Sequence, residues 1–185
     1  MATKKSQRIF IWVIAIVMTV GTVAGFIAMM IAPTNQKIDQ AAQEKAIAEY
    51  QKQAEKQEAE RLESLRPLDG YQAEAFDAAA VTSLQTDVLV EGSGEALQKD
   101  SPLNINYFGW TADGKIFDST NINGVTTPND QLTMTTVIEG WKKGLVGKKI
   151  GSTVKLMVPT ELAYGENAAA SGRPEGPLAF IVEIK

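Results

Sequence analysis

Residues 9–32 read IFIWVIAIVMTVGTVAGFIAMMIA and carry no charged side chain. These 24 residues exceed the roughly 20 that a helix needs to cross a bilayer. A soluble helix of this length with no polar face would have no water-facing side. A cleaved signal sequence is the competing reading, but its apolar core spans only about 7–15 residues and ends in small residues. Here the run is longer and closes on FIAMMIAPT, so the segment is expected to stay as a transmembrane anchor. Lys4, Lys5 and Arg8 crowd the side before it, and the first basic residue after it is Lys37, soon followed by Asp39. The excess of positive charge on one flank puts residues 1–8 in the cytoplasm and the rest of the chain outside. The expected location is therefore the cell membrane, single-pass, with an extracytoplasmic C-terminal part. Gly21 and Gly25 form a GxxxG pattern that can bring two such helices together, although glycine is also common in membrane helices generally. The oligomeric state stays open.

Composition changes sharply after the apolar run. Residues 33–66 are dominated by Ala, Gln, Glu, Lys and Arg, and 36–66 contain neither Pro nor Gly. Pro33 and Thr34 break the run, and Asn35 can cap a new helix. Opposite charges recur at helical spacing, as in Lys45 with Glu49, Lys56 with Glu60 and Glu63 with Arg66. No sustained heptad of apolar residues is present, which argues against a strong coiled coil. The segment reads as a solvated helical stalk or a partly ordered spacer. A continuous helix here would be about 45 Å long. Pro67 and the Asp69-Gly70 pair end it.

From residue 67 onward the pattern turns to short β-like segments separated by turns, over a length that can bury a core. Residues 86–90 form a candidate strand closed by Gly92 and Gly94. Residues 102–110 alternate, with Leu103, Ile105 and Tyr107 on one face and Asn104, Asn106 and Phe108 on the other. Asp113-Gly114 signals a hairpin into 115–118. Residues 131–135 make a weaker strand, and 137–145 a short helix. Val154, Leu156 and Val158 share a face of the next strand, and Leu178, Phe180, Val182 and Ile184 share a face of the last. Residues 77–84 are expected to add a preceding edge segment. The fold class is α+β, an antiparallel sheet wrapped on one short helix.

Cysteine and histidine are both absent. Disulfides, thiol nucleophiles, lipidated cysteines, imidazole bases and the usual zinc sites are thereby excluded. Residues 67–185 hold nine basic and fifteen acidic residues, a net −6. An acidic surface of this kind argues against nucleic acid as a partner.

Four motif blocks then occur in order. They are Tyr107-Phe108-Gly109 with Asp113-Gly114 and Phe117-Asp118-Ser119; Val137-Ile138 with Gly140-Trp141 and Gly144-Leu145; Pro159 with Ala163-Tyr164-Gly165; and Leu178, Phe180, Val182-Glu183-Ile184. Over residues 84–185 this set resembles the FKBP-type peptidyl-prolyl cis-trans isomerases, of the membrane-anchored bacterial sort. The resemblance implies a catalyst of rotation about X-Pro bonds that needs no metal or cofactor and acts on proline-containing polypeptides. It implies a pocket walled and floored by Tyr107, Phe117, Val137, Ile138, Trp141 and Phe180, with Trp141 beneath the proline ring. Asp118 would stand at the rim near the twisting carbonyl. The Tyr164 hydroxyl and the Ile138 N–H would donate hydrogen bonds to the bound peptide. Trp141 and Phe180 also serve as core residues, and Asp118 can also close a local turn.

The chain departs from that pattern twice. A typical member carries a phenylalanine where this chain has 124–130, GVTTPND, and an apolar flap where it has 166–173, ENAAASGR. Each lost apolar contact is worth ~1–3 kcal/mol of binding, so these two walls are expected to be polar and open. Tight binding of macrolide immunosuppressants is not expected. Three functions stay in play: an isomerase assisting the folding of extracytoplasmic proteins, a non-catalytic peptide-binding or chaperone module, and a structural membrane protein using the domain as a scaffold.

Overall fold

The computed structural model of the chain describes residues 36–185. The expected cytoplasmic segment 1–8, the apolar run 9–32 and its Gly21/Gly25 pattern lie outside the described residues. No helix among the described residues is long and apolar enough to cross a membrane.

Helix α1 spans Gln36–Ser64. Its sequence of strong helix formers explains its length. Over residues 43–64 it has no buried stripe, and Ile47, Tyr50 and Leu62 are all exposed. The expected Lys56–Glu60 pair is formed at 3.6 Å. Arg66, expected to pair with Glu63, instead donates to the backbone carbonyls of Glu63 and Leu65.

A compact unit covers Ala54–Lys185. Leu65–Arg66 form β1, antiparallel to Asn121–Ile122 (β5), which in turn pairs with Val125–Thr126 (β6). Asn123 and Gly124, with φ of 53° and 82°, make the two-residue turn between β5 and β6.

The main sheet is antiparallel throughout and runs β2 (Gln85–Val90), β8 (Thr153–Val158), β9 (Leu178–Ile184), β3 (Pro102–Thr111), β4 (Ile116–Ser119). Strand β3 has the most partners. One edge of β3 pairs with β9 from Ile105 to Thr111. The other edge is shared: its first half pairs with β7 (Asn129–Thr133) and its second half with β4. Between these partners Tyr107 is bonded through its backbone to Thr120. The Asp113-Gly114 turn forms as the sequence predicts, with Gly114 at φ 82°.

Helix α2, Glu139–Leu145, lies on one face of the sheet. Gly140 and Gly144 face Val158 and Leu156 so closely that a Cβ on either would collide with the strand. Their spacing of one helical turn lets the helix sit directly on β8. Leu103, Ile105, Leu145, Val154, Leu156 and Val182 fill this side of the core.

The opposite face is also covered. Phe108 and Trp110, stacked at 5.0 Å, pack with Leu68, Ala179 and Ile181 beneath Tyr71 and Phe76. The Trp110 indole donates to the Glu74 carbonyl at 2.8 Å. Thus Phe108 lies on the second face of β3, as the alternation indicates, but that face is a second small core. Each such large apolar side chain stabilises the fold by about 1.5–3 kcal/mol. Residues 77–84 form no edge strand. They make a 3-10 turn at Ala78–Ala80, capped by the Asp77 carboxylate, which accepts from the Ala79 N–H at 2.9 Å.

Candidate functional site

Four aromatic rings meet where β3, β4, β9 and α2 converge. Tyr107 stands edge-to-face against Trp141, with centroids 5.1 Å apart and planes at 85°. Trp141 meets Phe180 at 5.4 Å and 86°. Phe180 meets Phe117 at 5.8 Å and 87°. Perpendicular contacts of this kind match ring edges to ring faces electrostatically and lock the orientation of each ring. The arrangement depends on Gly109. A Cβ at that position would fall 2.6 Å from Phe180 and 2.8 Å from Phe117.

Trp141 and Phe180 form the buried base, at 4% and 2% exposure. Tyr107, Phe117, Val137, Ile138 and Tyr164 are partly buried and pack against the core cluster that contains Trp141 and Phe180. The Trp141 indole N–H is buried without a hydrogen-bond partner. Such an orphaned donor carries a desolvation cost of about 1–3 kcal/mol.

The polar edge is built around Asp118. Its Oδ2 accepts from the Tyr107 hydroxyl at 2.7 Å, and its Oδ1 accepts from the Ser119 N–H at 3.0 Å. Both carboxylate oxygens are therefore oriented while the side chain stays 42% exposed. Burial, and after it the neighbouring Asp118 charge, push the Tyr107 phenol well above its ordinary value. Tyr107 is thus a committed donor. The Tyr164 phenol is also raised, chiefly by burial, with Arg173 opposing the shift. The Arg173 guanidinium lies 5.0 Å over the Tyr164 ring.

Ile138 sits at the N-cap of α2. Its carbonyl accepts from the N–H groups of Trp141 and Lys142. Among the described residues, no hydrogen bond uses the Ile138 N–H. The rings present a partly buried apolar surface suited to a small apolar ring. A fixed carboxylate stands at its lip, and Ile138 supplies a backbone donor nearby.

Seven of the eight residues expected from the sequence belong to or pack on the core cluster that holds Trp141 and Phe180, and Asp118 is bonded to one of them, Tyr107. The two altered segments adopt definite forms. Residues 124–130 belong to the β5–β6 hairpin and the start of β7, with Val125 67% exposed. Residues 166–173 contain a 3-10 turn, Ala168–Ser171, whose Ala168 is buried. A further residue at the edge escaped the sequence reading. Arg61, near the end of α1, donates to the Phe117 carbonyl at 3.1 Å and lies 4.0 Å from Asp118. No local pattern signals that contact, because 56 residues separate the partners. A separate depression of about 420 Å³, lined by Lys99, Met134, Lys142, Lys143 and Val146, shares none of the expected residues.

The sequence model of a family described as FKBP-type peptidyl-prolyl cis-trans isomerase matches residues 93–185. The Escherichia coli protein described as FKBP-type peptidyl-prolyl cis-trans isomerase FkpA is 36% identical over 103 residues, 56% of this chain and 37% of its own. A Neisseria meningitidis protein described as FK506-binding protein is 35% identical over 107 residues, 55% of this chain and 94% of its own. A solved peptidyl-prolyl cis-trans isomerase from Pseudomonas syringae pv. tomato is 29% identical, with 55% of this chain and 72% of that chain covered and a TM-score of 0.48. The chain spans little more than a third of the length of the E. coli relative.

Proposed function

The chain belongs to the FKBP-type peptidyl-prolyl cis-trans isomerase family, and we propose that it rotates X-Pro bonds in proteins folding outside the membrane that anchors it. The observation that carries this reading is the ring cluster Tyr107–Trp141–Phe180–Phe117 with Asp118 held at its lip.

Rotation of an X-Pro bond meets a barrier of about 18–20 kcal/mol, because the twisted amide loses its resonance. No covalent bond is made and no proton has to move. A catalyst must therefore hold the twisted form better than the planar one. Trp141 offers a flat floor for the proline ring, and Phe117, Phe180, Val137 and Ile138 wall it. Exclusion of water removes hydrogen bonds that favour the polar, planar amide. Tyr107 fixes the Asp118 carboxylate, which faces the carbonyl carbon as it turns out of plane. The Ile138 N–H and the Tyr164 hydroxyl are suited to donate to carbonyls of the bound peptide and hold it while one bond turns.

Anchoring rests on the charge-free run 9–32, and orientation on Lys4, Lys5 and Arg8 before it. In this reading the substrates are proline-containing polypeptides on the extracytoplasmic side.

The test uses the full chain in detergent, following cis-to-trans conversion of a proline tetrapeptide. Wild type is expected to beat buffer, and Asp118→Ala and Trp141→Ala to be slower. A wild-type rate equal to buffer overturns the reading. Binding without rate would point to a peptide-holding module. The exposed Val125, in the stretch where a typical family member carries an aromatic wall, favours that second reading. For topology, protease added to intact cells should cut within 36–66. Full protection, with the outer surface shown to be accessible, would reverse the orientation.

A further inference from the structure

The sequence gives residues 33–66 the role of a spacer. The last turns of α1 do more than space. The Ser64 carbonyl accepts from the Asn123 N–H at 2.8 Å. The Ser119 hydroxyl donates to the Arg66 carbonyl at 2.6 Å, and the Asn121 amide donates to the Pro67 carbonyl at 2.8 Å. Leu65 is 5% exposed and pairs with Ile122. The end of the stalk is therefore fastened to the residues that directly follow Asp118.

Arg61 extends this fastening into the site. Its Nη2 donates to the Phe117 carbonyl at 3.1 Å, and its Nη1 lies 4.0 Å from Asp118 Oδ1. The guanidinium is itself aimed. Nε and Nη2 donate to the two Glu58 carboxylate oxygens at 2.9 and 2.8 Å. Its side chain is 35% exposed, against 78% for Lys56 on the same helix. A rigid planar fork can hold several acceptors at fixed angles, which a lysine ammonium cannot.

We propose that Arg61 is a positioning residue for Asp118, so that the final turns of the stalk helix form part of the isomerase site. Arg61 meets two successive residues of β4: it donates to the carbonyl of the ring-wall residue Phe117 at 3.1 Å and stands 4.0 Å from the carboxylate of the lip residue Asp118. It thereby fixes the wall and the lip relative to each other. It also sets a positive charge beside the carboxylate, limiting the directions in which that carboxylate can turn. This inference rests on the isomerase reading above.

A double-mutant cycle on the full chain in detergent tests it, with Arg61→Ala, Arg61→Lys, Asp118→Asn and the double variant, and Lys56→Ala as control. Arg61→Ala should lower kcat/KM roughly three- to tenfold, the range expected for a partly exposed charged contact. Its thermal midpoint should stay close to that of Lys56→Ala. Arg61→Lys should recover part of the loss. In the Asp118→Asn background, Arg61→Ala should cost less than about twofold, because the two residues act as a unit. Equal losses in both backgrounds, or an active Arg61→Ala within about twofold of wild type, would overturn the inference and leave the isomerase reading standing. A wild-type chain no faster than buffer removes both. If Arg61→Ala fails to give a cooperative melt, Glu58→Gln takes its place. It loosens the aim of Arg61 and should show the same non-additivity with Asp118→Asn at smaller size, and additivity there would overturn the inference.

Discussion

The buried ring floor of the candidate site and its charged lip are held by different physics. Trp141 and Phe180 are almost wholly buried, and each has two perpendicular aromatic neighbours. The lip consists of half-exposed charged groups, Asp118 and Arg61, oriented by a few hydrogen bonds to neighbouring side chains and backbone. Packing alone would hold the floor whether or not it ever met a substrate. The lip gains little stability from its order, since exposed ion pairs are worth about 0–1 kcal/mol. Changes at the floor should therefore cost stability and activity together, while changes at the lip should cost mostly activity.

The largest expected effect is Trp141→Ala, a loss of about 3–5 kcal/mol in unfolding free energy, read from urea unfolding. A loss under about 1 kcal/mol would show that the floor is not core. Next is Gly109→Ala. Its Cβ would press on Phe180 and Phe117, and overpacking of this kind costs about 1–3 kcal/mol. Unchanged stability would mean that the rings give way easily.

Tyr107→Phe bridges floor and lip. It removes the bond to Asp118 while keeping the ring, for about 1 kcal/mol. It also tests a pH dependence. The Tyr107 phenol is raised in the folded state above its ordinary value of 10.0. The unfolded chain therefore releases that proton first. The stability tied to Tyr107 is full below about pH 10 and is lost as the pH rises toward the folded value. Wild type should weaken on going from pH 9 to above 10 more than Tyr107→Phe does. Parallel curves would remove the assignment. The smallest effect is expected for Arg173→Ala, about 0.5 kcal/mol from the contact over Tyr164. A stability change above about 1.5 kcal/mol would mean that this segment is fastened more firmly than its exposure suggests.

The floor was legible in the sequence and the lip only in part. Leu178, Phe180, Val182 and Ile184 alternate, and alternation decides which side chains share a face of a strand. Gly140-Trp141 sits in a short helical segment with Gly144 one turn on, and the structure lays that face on β8. The turn at Asn123-Gly124 escaped the sequence reading, because its flanking strands are only two residues each, too short for periodicity to show. The burial of Phe108 and Trp110 was hidden for another reason. What covers that face is 68–76, a stretch without regular structure whose apolar residues carry no period.

Local sequence by itself determined the elements that depend on near neighbours: the uninterrupted helix Gln36–Ser64, the turn at Asp113-Gly114, the alternating strands and the order of the motifs. Charge-free length likewise marks residues 9–32 as the candidate anchor. Only the tertiary structure decided that the end of the stalk belongs to the site. Arg61 looks like any solvated helix arginine until the fold carries Phe117 and Asp118 to it across 56 positions. Periodicity and propensity act over a few residues, whereas that contact exists only once the sheet has closed.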